Sequence, residues 1–494
     1  MSQPSARPSA VIVLAAGQGT RMKSTTPKIM HAIGGRSLVG HALAAAWSLA
    51  PEHLVAVVRH ERARVAEHLE TVAAQLGIDA LAIADQDDVP GTGRAVELGL
   101  AALPADLEGT VVVTYGDVPL LTPETLARLV ADHEADGNAV TVLTATLEDA
   151  TGYGRIVRDA EGNVERIVEF KDASDAEREI REINSGIYAF DAQVLRRELA
   201  NVTSDNAQGE KYLTDVLQLA RAAGGRVTAH VLTDLWQTEG VNDRVQLADL
   251  GRELNRRTCE RHMRAGVTIV DPATTWIDVD VTIGADTRVL PGTQLLGATS
   301  IGAEATIGPE VTLTDCEVGD RAEVKRAEGN LAVVGAGATV GPFSYLRPGT
   351  VLGAKGKIGG FVETKNTTIG EGAKVPHLTY AGDAIIGEGA NIGAGTIFAN
   401  YDGVAKHRTV VGRHSFVGSD SVLVAPVEIA DGAYVAAGSA VTDDVGPGQL
   451  AVARGRQRNI DGWVAAQRAG TPTEAAARAA DSSARRPAHS DQSV

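Results

Sequence analysis

The sequence predicts two domains of different class, an α/β domain with a mainly parallel sheet and a parallel β-solenoid, joined by a long helix. Three observations predict this. Strand-like and helix-like apolar patterns alternate from Ala10 to about residue 240, and that alternation builds a parallel sheet covered by helices. The stretch NDRVQLADLGRELNRRTCERHMRAG, residues 242–266, carries one unbroken helical pattern. Beyond it the aliphatic residues recur every six positions, a period that belongs to hexapeptide solenoids and not to an α-helix. At 494 residues the chain also exceeds what one compact core accommodates.

Taken in order, residues 1–9 read as a flexible leader and residues 10–241 as the first domain. VIVLAAG is a strand, SLVGHALAAAWSLA a helix, and HLVAVVR and TVVVTYGD are further strands. The opening apolar run is too short for a secretory signal and has no cleavage-site pattern before Gln18 and Arg21, so it is expected to be the first strand. Residues 242–266 form the linker helix. Residues 267–463 form the solenoid domain. Its period shows in Ile277, Ile283, Val289, Leu295, Ile301, Ile307 and Leu313, again in Val334, Val340, Leu346, Leu352 and Ile358, and again in Val411, Val417, Leu423, Ile429, Val435 and Val441. Four positions after many of these stands a small residue, such as Thr287, Ala305, Ser344, Ala373 or Ser415. Each aliphatic is expected to point inward and stack on its equivalent one coil along. With strands about 4.8 Å apart, roughly ten coils give a prism about 50 Å long. Residues 464–494, rich in Ala, Arg, Ser, Pro and Thr, read as a disordered tail.

Composition narrows the function. A formal charge of −17 disfavours a broad nucleic-acid surface, which needs clustered cations, while leaving room for a small anion held locally. The 54 glycines and 4% aromatic content suit coils packed from small residues. Only Cys259 and Cys316 are present, without metal-type spacing, so a reducing cytoplasm is expected. No run reaches the roughly 18 apolar residues of a membrane helix.

A first candidate site follows the first strand. In LAAGQGTRMKSTTPK, residues 14–28, Gly17 and Gly19 let backbone N–H groups approach an anion, and Arg21 and Lys28 add charge for phosphoryl oxygens. The spacing is neither the Rossmann glycine fingerprint nor a Walker loop. A glycine-rich turn after a strand is also an ordinary structural turn, and Arg21 with Pro27-Lys28 tilts it toward phosphate. Then come QDDVPGTGRAV with Gln86, Gly91 and Thr92, YGDVPLL with Asp117 at a strand end, and GYGRI, IVEFKD, EINSGIYAF and EGVNDRV. In this order the blocks resemble the sugar nucleotidyltransferases, whose α/β domain is Rossmann-like. The resemblance implies that Leu14, Ala15, Gly17, Lys28, Gln86, Gly91 and Thr92 hold UTP, and that Gly154, Glu169 and Asn184 contact the sugar. It also implies that Asp117 and Asn242 hold Mg²⁺ and that Arg21 and Lys28 act in catalysis. An Asp at a strand end is by itself a common cap or turn residue, but two hard oxygen donors at separate strand ends suit Mg²⁺. The implied step is in-line attack of a sugar 1-phosphate on the α-phosphorus, with pyrophosphate leaving.

A second candidate site lies in KVPHLTYAGD, residues 374–383. The hexad phase makes Val375 and Thr379 inward residues, so His377 falls on the outer surface. An outward histidine is commonly just solvated. Here FANYDGVAKHRTV, residues 398–410, breaks the repeat as an excursion bearing Asn400, Tyr401 and Lys406. Arg347 and Lys365 stand off the inward positions of earlier coils, and Asn391 is expected one coil beyond Lys365.

Residues 10–463 together resemble the bacterial bifunctional enzymes that make UDP-N-acetylglucosamine, in which a uridylyltransferase is joined to a hexapeptide acetyltransferase. HLTY, NIGAGT and NYDG are among the most specific blocks, with Pro376 where many members have Gly. The resemblance implies a left-handed β-helix. It implies that His377 deprotonates a glucosamine amine for attack on the acetyl-CoA thioester, work suited to a histidine, though a sugar contact alone is equally compatible with its position. Arg347, Lys365, Tyr380, Asn391, Asn400, Tyr401 and Lys406 would hold the sugar phosphate. Ala394, Asn400, Tyr401, Ser419, Ala437 and Arg454 would line the acetyl-CoA side, with Tyr401 and the region of Ser419 as oxyanion donors. A cytoplasmic homotrimer sharing this site between prisms, and supplying a precursor for cell-wall synthesis, is implied as well. Two alternatives stand beside it: a single-activity nucleotidyltransferase with a purely structural solenoid, and a non-enzymatic regulatory subunit built on the same modules.

Overall fold

The computed structural model describes residues 7–484. Its first domain is a nine-stranded sheet whose central order runs Val227–Leu232, Val140–Thr146, Glu182–Asp191, Thr110–Tyr115, Ala10–Leu14, His53–Val58, Leu81–Asp85. Ala10–Leu14 is parallel to both of its neighbours, with Leu14 level with Val57 and Tyr115, so their carboxyl ends finish side by side. The long strand Glu182–Asp191 runs antiparallel to its neighbours, and the ribbon of Arg155–Arg158 and Val164–Val168 hangs from it. The first strand has alternate residues in different cores. Ala10, Ile12 and Leu14 enter one apolar cluster, Val11 and Val13 another, as a strand buried on both faces requires. The helix Leu38–Trp47 starts where Ser37 accepts a hydrogen bond from the Gly40 N–H at 3.2 Å, a side-chain N-cap.

Of the leader expected over residues 1–9, positions 1–6 lie outside the described residues, and the rest is tied down. Pro8 is buried, and Ser9 donates to the Thr110 carbonyl at 2.9 Å while accepting from His53 at 3.1 Å. The chain is anchored before the first strand begins because the neighbouring strands supply partners for its backbone.

The linker helix is Arg244–Arg264, with the Asp243 carboxylate accepting from the Val245 and Gln246 N–H groups at 2.9 Å each. It ties to both domains. Arg257 forks onto Asp234 at 2.9 Å with both terminal nitrogens, and Asn255 clasps the first coil through the Thr275 carbonyl at 2.7 Å and the Ile277 N–H at 3.0 Å. A direct strap completes the junction. Arg36 meets Asp280 at 2.6 Å and the Gly34 carbonyl accepts from Val279 at 3.0 Å.

The second domain is a parallel β-helix of repeats. Short strands pair coil on coil, as Trp276 with Gln294 and Gln294 with Thr312. Val324, Val340, Ile358 and Val375 stand in register on successive coils, and each is 2% exposed or less. Ile283, near the first coil's open end, is only partly buried against this core. The small inward residues satisfy their own polarity. Thr287 donates to the Gly302 carbonyl at 2.8 Å and accepts from Ala305 at 3.0 Å, so buried hydroxyls carry little penalty. The irregular coil is the one where Asn391 pairs with Phe416. Its excursion is narrower than 398–410, because Phe398 is fully buried and Thr409–Val411 is a strand; only residues 400–408 leave the prism.

Part of the tail expected to be disordered is helical, over Trp463–Gln467 and Pro472–Ala484. The cause is local: alanine-rich sequence favours helix, and Glu474 pairs with Arg478 at 2.6 Å one turn on. Almost every residue from 452 to 481 is exposed, so no core explains these helices. Residues 485–494 lie outside the described residues.

Candidate active sites

The carboxyl ends of the three parallel strands open onto a cavity of about 370 Å³. Leu14, Ala15, Gly17, Lys28, Gln86, Gly91, Thr92 and Asp117 all line it, so the nucleotide set expected from sequence converges. Gly19 has a φ of +65°, and a Cβ there would sit 2.5 Å from the Lys28 Cβ, so glycine lets the loop fold against that lysine. Gly17 is different: a Cβ there meets nothing within 4 Å, and its lack of a side chain leaves open space. Gly91, at φ +119°, is pressed against the Lys211 backbone and opens the helix Thr92–Ala101. Gln86 is held by its side-chain amide, which donates to the Val89 and Gly91 carbonyls at 3.2 Å each.

Arg21 and Lys28 are not free cations waiting for phosphate. Lys28 pairs with Asp117, and Arg21 donates to the Asn242 Oδ1 at 2.7 Å. The two cations therefore sit on the two oxygen donors. Those donors are neighbours, since Val241 donates its N–H to the Asp117 carbonyl at 2.9 Å. One carboxylate and one amide oxygen fit Mg²⁺, which takes few protein ligands and completes its shell with water and phosphate. Among the described residues no cluster of three or more His, Cys, Asp or Glu offers a denser metal site.

A second cavity of about 240 Å³ adjoins the first, sharing Thr92, Tyr115 and Glu210 with it. Gly154, Glu169 and Asn184 line it. The Gly154 carbonyl accepts from Asn184 at 2.9 Å, and the Asn184 Oδ1 accepts from Gly186 and the Tyr188 hydroxyl at 2.9 Å each, which aims its amide. Burial pushes the Glu169 carboxyl up from its ordinary value, against the Thr214 hydroxyl that donates to it at 3.3 Å. Burial likewise holds the Tyr115 phenol well above its usual range. Sequence reasoning misses Tyr115 and Glu210. Tyr115 stands two residues before Asp117, a position that could have flagged it; Glu210 sits in a loop with no motif.

On the solenoid, His377 is exposed as the hexad phase requires, between inward Val375 and Thr379. With Ala394 it lines a recess of about 590 Å³. Backbone bonds stack the acetyl-CoA candidates along one corner. Gly395 donates to the His377 carbonyl at 3.2 Å, Asp420 to Ala394 at 2.7 Å, and Gly438 to Ser419 at 2.8 Å. Ala437 and Arg454 continue this line, Arg454 reaching Gly438.

The polar set gathers elsewhere, around a residue that no sequence signal marks. Asp383 accepts from Asn400 at 2.5 Å and from Asn366 at 2.7 Å, and Asn400 also reaches the Tyr380 hydroxyl at 3.4 Å. Burial would raise Asp383, but those amides and the charges of Lys365 and Lys406 outweigh it and hold it below the usual carboxylate range. Lys406 stands beside Lys365 and pulls it below the ordinary lysine value, with its contact and its charge acting first. Arg347 pairs with Glu363 at 2.8 Å. Tyr401 is 60% exposed on the excursion, its hydroxyl on the Gly403 carbonyl at 2.7 Å. Asn391 is the correction here. It stands in register with Lys374, whereas the partner of Lys365 one coil on is Gly382. Both coils advance by 17 residues, so Asn391, 26 positions after Lys365, overshoots by 9 and falls in a different sheet of the prism.

The comparisons agree along the whole chain. The nucleotidyl transferase family profile matches residues 10–279. The chain is similar to the bifunctional protein GlmU of Micrococcus luteus, 71% identical, covering 97% of this chain and 98% of that one. It is similar to the same protein of Paenarthrobacter aurescens at 62%, covering 97% and 96%, and of Kineococcus radiotolerans at 59%, covering both chains fully at 100%.

Proposed function

Because the chain belongs to the family of bifunctional GlmU proteins, we propose how its two domains divide the work of making UDP-N-acetylglucosamine. The solenoid acetylates glucosamine 1-phosphate with acetyl-CoA. The α/β domain transfers UMP from UTP to the resulting N-acetylglucosamine 1-phosphate and releases pyrophosphate. The observation that carries this is the likeness to bifunctional relatives along nearly the full length, at 59–71% identity through both domains.

In the α/β domain the first cavity takes the nucleotide and the adjoining one the sugar, with Glu169 and Asn184 reading its hydroxyl and amide groups. Lys28 and Arg21 shift from Asp117 and Asn242 onto phosphoryl oxygens and stabilise charge building there. Bound Mg²⁺, held by Asp117 and Asn242, supplies further neutralisation of phosphate charge. In the solenoid, His377 takes the proton from the amine as it attacks the thioester carbonyl, the C–S bond breaks, and coenzyme A leaves as the thiol. Arg347, Lys365, Tyr380 and Lys406 orient the sugar phosphate.

His377 ends the strand Lys374–His377 of one sheet of the prism, while Asp383 lies on Tyr380–Ile386 of another. This supports a homotrimer in which the 400–408 excursion of one prism faces the recess of the next. Cytoplasmic residence and a role in cell-wall precursor supply go with this reading. No helix among the described residues is long and apolar enough to cross a membrane.

The test is mass spectrometry of products from glucosamine 1-phosphate, acetyl-CoA, UTP and Mg²⁺, omitting each in turn. Omitting acetyl-CoA must abolish both the acetylated intermediate and the nucleotide sugar; omitting UTP must leave the intermediate to accumulate. Acetylation absent under all conditions would leave the solenoid structural.

A further inference from the structure

The recess beside His377 has two lysines on its wall, Lys325 and Lys357, that the reaction as described does not use. We propose that Lys325 and Lys357 form a phosphate-binding subsite of the acetylation site, holding a phosphoryl group of one of its two substrates. This rests on the reading that acetylation takes place at His377.

The protein is strongly anionic, at −17 overall, and several basic residues of the surrounding coils have carboxylate partners. Arg321 pairs with Glu304, Arg326 with Glu310, Arg347 with Glu363 and Lys355 with Glu371. Lys325 and Lys357 have no such partner within 4 Å among the described residues. Lys357 also stands in direct register with Lys374 on the next coil, and Lys374 likewise has no carboxylate partner among them. Like charges opposite one another across adjacent strands are destabilising. On the same stripe the next positions are Thr339 on one side and Asn391 on the other, so no carboxylate relieves them. A bound polyanion would.

The recess floor is bare backbone, because Gly341 and Gly359 cannot carry a side chain: a Cβ on either would lie 1.9 Å from the Lys325 or Pro376 carbonyl oxygen. A ligand therefore approaches the coil closely, with both lysines on the wall around it. Phe361 also lines the recess, exposed and stacked on Phe343 with centroids 5.3 Å apart, and supplies an apolar rim. An anion held here lies in the same recess as His377, where reaction takes place.

Both substrates carry phosphate, and kinetics separates them. Lys325→Gln and Lys357→Gln are made singly and together in the full chain, and KM for acetyl-CoA and for glucosamine 1-phosphate is measured separately with the other saturating. Both lysines are exposed, so folding is expected to be unaffected. The expected result for the double variant is a KM about tenfold higher for one substrate, kcat within twofold, uridylyl transfer unchanged, and recovery with Arg at both positions. A rise for acetyl-CoA assigns the phosphates of the acyl donor; a rise for glucosamine 1-phosphate assigns the sugar phosphate. Wild-type KM for both substrates in the double variant overturns the proposal, as does a fall in kcat with no substrate-selective change. If the wild type itself forms no acetylated product, it is the proposed acetylation that fails, and if His377→Ala acetylates normally, it is the placement of the reaction at His377.

Discussion

The two candidate sites of this chain are built in opposite ways. The α/β domain gathers its residues where three parallel strands end, and encloses them: Lys28 is 10% exposed and Asp117 20% at the side chain, and Glu169 is buried enough to resist ionisation. The solenoid fills its interior with aliphatic stacks and has only its outside to offer. His377 and Tyr401 are exposed there. A sheet can wall a site with its own loops, whereas a prism displays residues and needs something else to cover them. The comparison also separates how charge is handled: the first site pairs each cation with an oxygen donor, while the second keeps lysines next to one another.

The largest effects are expected from disabling one site at a time. His377→Ala is expected to lower acetylation by about 10²–10⁴-fold with uridylyl transfer intact, and Asp117→Ala to do the reverse, each followed by separate assays of the two products. Loss of both activities from either change in a folded protein would mean that the sites are not independent. The next effect is on stability. Phe398 is fully buried at the base of the excursion, and Phe398→Ala is expected to cost about 3–5 kcal/mol, read from denaturant unfolding of the solenoid transition. If the enclosed and displayed sites rest on separate cores, the α/β transition will not move.

Smaller and more local is Asp383→Asn. It removes the carboxylate that feels the charges of both Lys365 and Lys406 and accepts from Asn400. KM for glucosamine 1-phosphate should rise about tenfold, the scale of one charge-assisted contact, with uridylyl transfer unaffected. The smallest effect is a pH slope. Burial raises the Glu169 pKa above its ordinary 4.5, so the folded state binds that proton more tightly than the unfolded chain, and stability falls as pH rises through the raised value. Glu169→Gln should remove this fall, seen as a flatter dependence of the α/β melting temperature on pH above about 4.5. An unchanged slope would show that Glu169 titrates normally and that the site is wetter than its geometry implies.

Much of both sites is legible in the amino-acid order. The hexad phase puts Val375 and Thr379 inside and His377 outside, and the glycine-rich turn after the first strand marks the first cavity. Both signals are local, because a repeat or a turn writes its geometry into adjacent residues. Other features are not legible. Asp383 closes the stretch KVPHLTYAGD, yet only contacts from Asn366 and Asn400 on neighbouring coils reveal its role. Asn391 is misplaced because it lies about half a coil beyond Gly382, the true partner of Lys365, and in another sheet. The helix Pro472–Ala484 escapes notice because low apolar content masks alanine's helical preference.

By itself, then, the sequence determined the two architectures, the order of the domains and which residues face outward, since periodicity and turn chemistry act over a few positions. Only the tertiary structure decided which outward residues share a space. It brought Lys28 to Asp117 and Arg21 to Asn242 across the length of the first domain, and Asn400 to Asp383 across a coil. It also set Lys325 and Lys357 beside His377 with no carboxylate partner among the described residues. Those pairings depend on strand order and coil register, which long-range packing sets and no local pattern encodes.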